Sequence, residues 1–349
     1  EIYKAWAWGN YKYQSKSKKN LLYVKEQKEL EFLTFYSDCI NLSRDLINSP
    51  ANKLNPSIYY SKIKNNNLFK SFNFIDYTEK EINSNFPLTC AVGKSSSSKP
   101  KVIEITNRKL SKKDKPLVII GKGVTFDTGG VNIKPGTSMR NMKKDMGGSA
   151  IAISLFLLAN YFLKKTKIVL IAPIAENAIS SKSMRPGDVY SSVSGKSVEI
   201  AHTDAEGRLL LADAIEKASS YNPCMIIDFA TLTGAARVAL GEDLPAYFCN
   251  NETFAKKIEN LNKEKLRCWR LPLYSPYLFK IKSQVADLSN ASLDGMAGSI
   301  TAALFLQEFL KSPNIPWFHF DTFAWSQDSK GAALQGLDIM SDFLRKNFN

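Results

Sequence analysis

Apolar residues along the chain follow two spacings, which predict strands and helices in alternation. Short runs rich in β-branched residues predict strands at 117–121, 168–172, 225–229 and 317–321. Helical spacing predicts helices at 29–48, 146–163, 205–220, 254–262 and 298–311. Strands that are apolar throughout and alternate with helices are typical of a parallel sheet that is covered on both faces. The sequence therefore predicts an α/β fold with a mostly parallel sheet flanked by helices on both faces.

The first part of the chain differs in character from the rest. Residues 1–27 are polar and aromatic, and the helix predicted at 29–48 ends at the prolines of "NSPANKLNPS". Because the chain starts with Glu1 and not with Met, we expect residues 1–48 to be the remnant of a smaller N-terminal domain followed by a linker helix. Residues 49–349 are expected to form one large domain.

Composition narrows the classes of partner. Lys and Arg total 47 against 33 Asp and Glu, a net charge of +14 that would suit an acidic partner such as nucleic acid. The excess consists mainly of lysines dispersed in polar stretches, without a motif that reads RNA or DNA, so no nucleic-acid partner is expected. The five cysteines lie far apart, which predicts free thiols in a reducing compartment and hence a cytoplasmic location.

Two further features concern the membrane and the possible metal ligands. The longest apolar run, 150–163, is too short to span a bilayer and no secretory signal is recognisable, so no membrane partner is expected. His202 and His319 are the two histidines of the chain, which excludes a histidine-rich metal site. Any bound metal would therefore be held by oxygens, with help from a lysine.

The stretch "HTDAEGRLLLADA" at 202–214 places charges on alternate positions ahead of an apolar helix. In an extended segment Asp204, Glu206 and Arg208 would project to the same side, whereas in a helix the two carboxylates would diverge. Converging charges that face inward are costly unless something compensates them. The stretch therefore predicts an extended turn whose carboxylates bind a metal ion.

A second group of charged residues follows the strand predicted at 117–121. This group comprises Lys122, Asp127, Lys134 and Asp145, separated by glycine-rich turns. Taken alone, Asp145 would be a helix N-cap and the lysines would be solvated loop residues. The glycines match neither G-x-x-x-x-G-K-[ST] nor G-x-G-x-x-G, so a phosphate-binding loop is not supported.

Together the two groups predict a paired metal site. Four negative charges are expected at the ends of neighbouring strands, from Asp127, Asp145, Asp204 and Glu206. Two divalent cations would balance them. Near such cations one lysine can lose its proton and act as a nitrogen ligand, while a second lysine keeps its charge and stabilises an oxyanion. Arg208 stays protonated and cannot be the general base, but it could hold an anion or a water that does that job.

Several motifs resemble one enzyme family. "GKGVTFDTGGVNIK", "MKKDMGGSA", "TDAEGRLLLADA" and "TLTGA" closely resemble the leucyl aminopeptidase (cytosol aminopeptidase) family, peptidase family M17. The resemblance extends from "DLINSPANKLNP" at 45 to "HFD" near 319 and includes spacing as well as identity. It implies that residues 49–349 are the catalytic domain of a metallo-aminopeptidase. Such an enzyme would remove an apolar, leucine-like N-terminal residue from peptides by attack of a metal-bridging hydroxide.

The resemblance also implies a role for each candidate residue. Two divalent metal ions would be bound, Zn or Mn, with Mg or Co as alternatives. Their ligands would be Lys122, Asp127, Asp145, Asp204 and Glu206. Asp127 and Glu206 would be shared between the two ions. Lys134 and Arg208 would be the catalytic pair, with bicarbonate bound at Arg208 as the base. The substrate pocket for an apolar side chain would include Met142, Thr231 and Gly234. A homohexamer is the assembly that the resemblance implies.

Two points qualify this interpretation. His202 stands where the family usually has Asn. A buried neutral imidazole with one donor and one acceptor could imitate that amide, and the alternative is a new catalytic role for the ring. The alternative function is an inactive or moonlighting DNA-binding scaffold of the same fold. The net charge of +14 favours that alternative slightly, whereas the complete set of ligands disfavours it.

Overall fold

The computed structural model describes residues 2–14, 22, 24–327 and 331–348. Its strands are β1 (Asn73–Ile75), β2 (Lys101–Thr106), β3 (Leu117–Gly121), β4 (Gly123–Asp127), β5 (Ile168–Asn177), β6 (Val189–Ser191), β7 (Ser197–Glu199), β8 (Met225–Ala230), β9 (Ala246–Cys249), β10 (Trp269–Arg270), β11 (Leu288–Ser289) and β12 (Trp317–Asp321). Its helices are α1 (Ile2–Gly9), α2 (Gln27–Asn48), α3 (Pro56–Lys64), α4 (Glu79–Asn85), α5 (Pro87–Gly93), α6 (Gly136–Met139), α7 (Gly147–Phe162), α8 (Gly207–Ser220), α9 (Gly234–Leu240), α10 (Glu252–Asn262), α11 (Gly298–Gln307) and α12 (Leu337–Asn347). Short 3-10 helices cover Ala51–Lys53, Asn67–Phe69, Met142–Met146 and Ser275–Ile281.

Within the described residues, nine strands form the central sheet in the order β1-β2-β5-β3-β8-β12-β9-β10, with β4 beside β5. The pairs β4/β5, β3/β5, β3/β8, β8/β12 and β9/β10 are parallel. The pairs β1/β2, β2/β5 and β9/β12 are antiparallel. Strands β6, β7 and β11 form a second, smaller sheet. The predicted α/β fold with a mostly parallel sheet is therefore confirmed.

Helices cover both faces of the central sheet. Successive side chains of a strand point to opposite faces, so each strand contributes to two apolar clusters. In β3, Leu117 and Ile119 pack into the apolar cluster that contains the buried residues of α2, α7 and α12. Val118 and Ile120 pack into the other cluster, with α5, α8 and α11. All four side chains are fully buried. The uninterrupted apolar run of β3 thus reflects burial on both faces.

The predicted strands and helices are all present, with bounds that shift by a few residues. Strands β3 and β12 have the predicted bounds, whereas β5 continues to Asn177. The helix predicted at 146–163 is α7, which begins at Gly147, and the helix predicted at 298–311 ends at Gln307. All five cysteines are free thiols, as predicted.

α7 is the central helix of the core. The preceding 3-10 helix runs directly into it, and together they form an apolar helical segment of 21 residues, Met142–Phe162. By length and composition this segment could cross a membrane. The shortness of the apolar run at 150–163 is therefore not enough to exclude a membrane span. In the folded protein, 83% of its most apolar stretch is buried. The segment packs against β3 and α2 and has the environment of a core helix.

α2 packs along α7. Ser43 Oγ donates a hydrogen bond to the carbonyl of Ala150 at 2.6 Å and lies 2.7 Å from Ser154 Oγ. Arg44 Nε donates to the carbonyl of Ala332 at 3.1 Å. Buried side chains of α2 belong to the same apolar cluster as those of α7.

The division of the chain into residues 1–48 and 49–349 stays a prediction.

The start of α7 lies against the backbone of β8, and this contact can be tested. A Cβ atom at Gly148 would lie 2.2 Å from the carbonyl oxygen of Phe229. We expect Gly148→Ala to lower the free energy of unfolding by roughly 1–3 kcal/mol, because relief requires a shift of the sheet backbone. Gly136→Ala, whose Cβ would meet nothing within 4 Å, is the matched control. Urea unfolding measures both variants, and equal stabilities would contradict the close contact.

Candidate metal centre and substrate cavity

Parallel strands place their carboxyl ends at one edge of the sheet, and this edge carries the candidate residues. Lys122 directly follows β3, and Asp127 is the last residue of β4. Asp204 and Glu206 directly precede α8. Gly207, the first residue of α8, lies against the side chain of Lys122. The fold thus brings together residues that are more than 80 positions apart in the sequence.

A cavity of about 880 Å³ opens at this edge of the sheet. The predicted metal-site and lysine residues line it together, namely Lys122, Asp127, Lys134, Asp145, Asp204 and Glu206. The residues predicted for the substrate pocket, Met142, Thr231 and Gly234, line the same cavity. Arg208 is not among the described residues that line it.

Residues 202–206 form a turn that leads into α8, as predicted, but the extended backbone expected for this turn is not present at Glu206. The amide of Ala205 donates a hydrogen bond to the carbonyl of His202 at 3.2 Å, and Glu206 has helical backbone angles of φ −74° and ψ −35°. The buried hydroxyl of Thr203 ties this turn to the loop that follows β4. The turn, and not the alternation of a strand, brings Asp204 and Glu206 to one side.

Three carboxylates converge in the cavity. One oxygen from each of Asp127, Asp204 and Glu206 lies within 4.8 Å of the other two. The Asp127 carboxylate is held in place, because its Oδ1 accepts hydrogen bonds from the amide of Gly129 at 2.9 Å and from Asn177 Nδ2 at 2.8 Å. Carboxylate oxygens fixed within reach of one another are the donors that hard divalent cations prefer.

Lys122 lies between Asp145 and Glu206. Its Nζ is 2.8 Å from Asp145 Oδ2 and 3.1 Å from Glu206 Oε1, and it donates a hydrogen bond to the carbonyl of Thr231 at 2.8 Å. The Thr231 hydroxyl donates to Asp145 Oδ1 at 2.7 Å. α7 begins at Gly147 and has no side-chain cap. The alternative that Asp145 is an ordinary N-cap is therefore wrong, because its carboxylate faces the cavity and Lys122.

Lys134 contacts the opposite side of the carboxylate cluster. Its Nζ lies 2.8 Å from Asp127 Oδ2 and also contacts the Asp204 carboxylate. Neither Lys122 nor Lys134 is the solvated loop residue of the alternative interpretation. Burial alone would lower the pKa of both lysines, but the adjacent carboxylates outweigh burial and raise the pKa of each above its ordinary value.

Burial is the largest influence on the pKa of three carboxylates in the cavity. It raises the pKa of Asp145, raises that of Asp204 to about 6, and raises that of Glu206 well above its ordinary value. The charge of Asp127 adds to each shift, while the lysines oppose it. Among the described residues, Glu206 Oε2 is buried without a hydrogen-bond partner. The oxygens and amines of this site therefore fit divalent cations, which would compensate the crowded negative charge.

Arg208 lies behind the cavity, in the first turn of α8. Its guanidinium carbon is 5.9 Å from the centre of the Phe305 ring. Burial lowers the pKa of Arg208 to about 10, against the opposing charges of Glu206 and Asp321, so the side chain is cationic at neutral pH. Within the described part of the chain, its Nε and Nη1 are buried and have no hydrogen-bond partner. These nitrogens are suited to hold an anion.

His202 lies at the rim of the cavity and is exposed, so the expectation of a buried ring is wrong. Its Nδ1 accepts a hydrogen bond from the amide of Asp204 at 3.2 Å, as an amide oxygen could. Partial burial and the charges of Lys134 and Arg208 lower the pKa of the ring. The neutral form, which keeps this acceptor, is thereby favoured.

Asn177 is a site residue that the sequence pattern did not identify. It is the last residue of β5, and its Nδ2 donates to Asp127 Oδ1 and, at 3.1 Å, to the carbonyl of Thr203. One amide thus joins the β4 carboxylate to the turn that carries Asp204. A polar residue at the carboxyl end of an apolar strand was the signal that could have revealed it.

Residues 41–340 match the profile described as "Cytosol aminopeptidase family, catalytic domain". The chain belongs to the cytosol aminopeptidase family. The resemblance seen in the motifs is therefore confirmed, and it covers most of the described structure. The family's catalytic domain includes α7, α8 and all the strands of the central sheet.

Bacterial cytosol aminopeptidases resemble the chain over most of its length. It is 38% identical over 298 residues to the "Probable cytosol aminopeptidase" of Syntrophotalea carbinolica, which covers 84% of this chain and 59% of that protein. It is 41% identical over 288 residues to the protein of the same description from Chlamydia caviae, which covers 81% of this chain and 57% of that protein. The chain therefore spans less than two thirds of the length of these relatives.

Solved structures share the fold. The crystal structure of the cytosol aminopeptidase from Coxiella burnetii superposes with a TM-score of 0.89 at 38% identity, covering 100% of this chain and 78% of that chain. The bottromycin maturation enzyme BotP in complex with Mn gives a TM-score of 0.89 at 29% identity, covering 100% of this chain and 79% of that chain. The described residues thus share the fold of solved members of the cytosol aminopeptidase family.

The contact between Gly207 and Lys122 yields a test of the candidate metal centre. A Cβ atom at Gly207 would lie 2.3 Å from Lys122 Cε and 2.6 Å from its Nζ, so it would displace the lysine from the carboxylates. We expect Gly207→Ala to weaken Mn²⁺ binding by about 10-fold to 100-fold. The fold should survive, because the displaced group is the end of a flexible side chain. Calorimetric titration with Mn²⁺ measures the effect, and unchanged affinity would contradict it; Gly136→Ala is the control.

Proposed function

We propose that the protein is a two-metal aminopeptidase that hydrolyses the N-terminal residue from peptides. The observation that carries this proposal is the convergence of four carboxylates and two lysines in one cavity of a cytosol aminopeptidase fold. Charges of this number and burial are costly to maintain unless they hold metal ions. The description of BotP in complex with Mn supports a metal-dependent function for the shared fold.

The proposed metal ligands are Lys122, Asp127, Asp145, Asp204 and Glu206, with Asp127 and Glu206 shared between two ions. The contacts support two groups, because Asp127, Asp204 and Glu206 converge on one side while Lys122 joins Asp145 to Glu206 on the other. Such donors suit Zn or Mn, with Mg or Co as alternatives. When bound, the ions would polarise the scissile carbonyl and supply a nucleophile derived from water.

Lys134 and Arg208 are the proposed catalytic pair. Lys134 is 14% exposed and remains charged, so its ammonium can donate a hydrogen bond to the oxygen that becomes negative during attack on the carbonyl. Arg208 cannot accept a proton, because its guanidinium stays cationic. Its buried, unpartnered nitrogens support the binding of an anion such as bicarbonate, which would serve as the base.

Met142, Thr231 and Gly234 are the proposed substrate pocket. Their position on the wall of the same cavity supports contact with the side chain of the N-terminal residue. A thioether, a small hydroxyl residue and a glycine leave room for a chain of methylene or methyl groups, such as that of leucine. The pocket therefore favours an N-terminal residue of about that length.

The remaining proposals concern domains, assembly and location. Residues 49–349 would be the catalytic domain, and residues 1–48 would be an N-terminal segment that includes a linker helix. Exposed apolar side chains, among them Phe279, Val285, Leu293 and Met296, support self-association and are compatible with the homohexamer that the family resemblance implies. The names of the bacterial relatives and the free thiols support a cytoplasmic location.

Glu206→Gln removes one charge from the crowded cluster and keeps the shape of the side chain. We expect it to abolish hydrolysis of a leucine chromogenic amide and to weaken Mn²⁺ binding by more than about 100-fold, because a shared ligand is lost. The thermal unfolding midpoint of the metal-free protein should not fall, since burial of this charge is unfavourable. Exposed Glu264→Gln is the control. Near-normal turnover with a full complement of metal would contradict the two-metal assignment.

The two lysines should respond differently to truncation. Lys122→Ala should lower metal occupancy after dialysis, because a nitrogen ligand is removed. Lys134→Ala should leave occupancy nearly intact and lower the rate by about 100-fold to 1000-fold, because only stabilisation of the oxyanion is lost. Elemental analysis beside the peptidase assay separates the two effects. Equal metal loss in both variants would refute the division of roles.

A further inference from the structure

Lys144 is a lysine in the cavity that the proposed metal chemistry does not use. Burial lowers the pKa of its amine to about 8, which leaves it mostly protonated at neutral pH. It lies between Met142 and Asp145 in the 3-10 helix Met142–Met146 and lines the cavity. The residue is 5% exposed. In the described part of the chain its ammonium group forms no hydrogen bond and no ion pair. A lysine is rarely buried to this extent unless it has a partner.

A second cation lies against the same aromatic ring. The centre of the Phe323 ring is 4.3 Å from Lys144 Nζ and 4.8 Å from the guanidinium carbon of Arg237, which is exposed on α9. Phe323 and Arg237 also line the cavity. The ring attracts each cation. Besides burial, the charge of Arg237 lowers the pKa of Lys144, so the two like charges repel each other. An anion in the cavity that contacts both cations would replace this repulsion with two attractions.

The acidic residues nearby do not provide that anion. Asp145 is paired with a lysine, as described above, and the oxygens of Asp321 accept hydrogen bonds from the loop between β8 and α9. Glu242 lines the cavity, but among the described residues no ion pair joins it to Lys144 or Arg237. The cavity thus presents two cations for which the described residues offer no carboxylate partner.

We propose that Lys144, Arg237 and Phe323 form a subsite that binds a carboxylate of the peptide substrate. This inference rests on the proposed function, because the cavity is the one that would receive the N-terminal residue. The carboxylate could belong to an acidic side chain of that residue or to the C-terminus of a short peptide. Glutamate and leucine side chains have the same length to Cδ. A glutamate chain would therefore keep its methylene groups near Met142 and end in the carboxylate that the cations attract.

Binding of free amino acids to the Mn²⁺-loaded protein tests the side-chain source without requiring turnover. Glutamate and glutamine differ only in the charge and terminal group of the side chain. We expect glutamate to bind about 10-fold to 100-fold more tightly in isothermal titration calorimetry, because charged hydrogen bonds to Lys144 and Arg237 are added. Lys144→Met and Arg237→Met should each reduce this ratio towards one. Lys182→Met, at an exposed position outside the cavity, should not change it.

Hydrolysis of matched peptides separates the two sources. The ratio of kcat/KM for Glu-Ala-amide to that for Gln-Ala-amide reports a side-chain carboxylate. The ratio for Leu-Ala to Leu-Ala-amide reports the C-terminal carboxylate. If one of these two ratios is above one in the wild-type protein and falls in Lys144→Met and Arg237→Met, but not in Lys182→Met, the subsite binds the carboxylate that this ratio reports. Arg237 is exposed, so its variant keeps the test valid if substitution of buried Lys144 impairs folding.

The outcomes distinguish this subsite from the proposed function. If no peptide is hydrolysed, the proposed function fails, and calorimetry alone decides the subsite. If leucyl peptides are hydrolysed but all the ratios are near one in the wild-type protein, the subsite is overturned while the aminopeptidase function stands. Ratios above one that persist unchanged in both variants would likewise overturn the assignment to Lys144 and Arg237.

Discussion

The crowding of four carboxylates in one buried cavity is the constraint on which the rest of this structure depends. Water cannot solvate these charges fully, and each raises the free energy of the others. The protein offsets part of this cost with the ion pairs of Lys122 and Lys134, while an oxygen of Glu206 stays unsatisfied within the described residues. The carboxyl edge of the sheet holds Asp127 in this cluster, because Gly129 and Asn177 donate hydrogen bonds to its carboxylate.

Much of the fold could be predicted because burial on both faces leaves a plain apolar run, as in β3 and β12. Strand β2 escaped prediction for a physical reason. Its Glu104 is fully buried, and the carboxylate accepts hydrogen bonds from the hydroxyls of Tyr77 and Tyr221. A buried charge whose hydrogen-bond partners are distant in the sequence interrupts the apolar pattern, so the local sequence does not predict a core strand there. Edge strands such as β10 are too short to leave a periodic signal.

The candidate site could be predicted in its composition but not in its geometry. Charged residues at strand ends, together with the family motifs, pointed to the residues that line the cavity. The sequence indicated a turn at 202–206 but not its conformation, because the hydroxyl of Thr203 binds the distant loop after β4. Nor could it show that Lys144 is buried beside the ring of Phe323, since the two residues lie on separate segments.

The 3-10 helix Met142–Met146 has a consequence for how the substrate range of this enzyme family could change. Successive side chains of a 3-10 helix are about 120° apart, so Lys144 and Asp145 diverge although they are adjacent in the chain. Asp145 contacts Lys122 in the candidate metal centre, whereas Lys144 contacts Phe323 on the cavity wall. The close packing at Gly148 fixes the helix that follows. A substitution of Lys144 alone could thus change which ligands the cavity wall binds and leave the contacts of Asp145 in place, so the wall and the candidate metal centre can evolve separately.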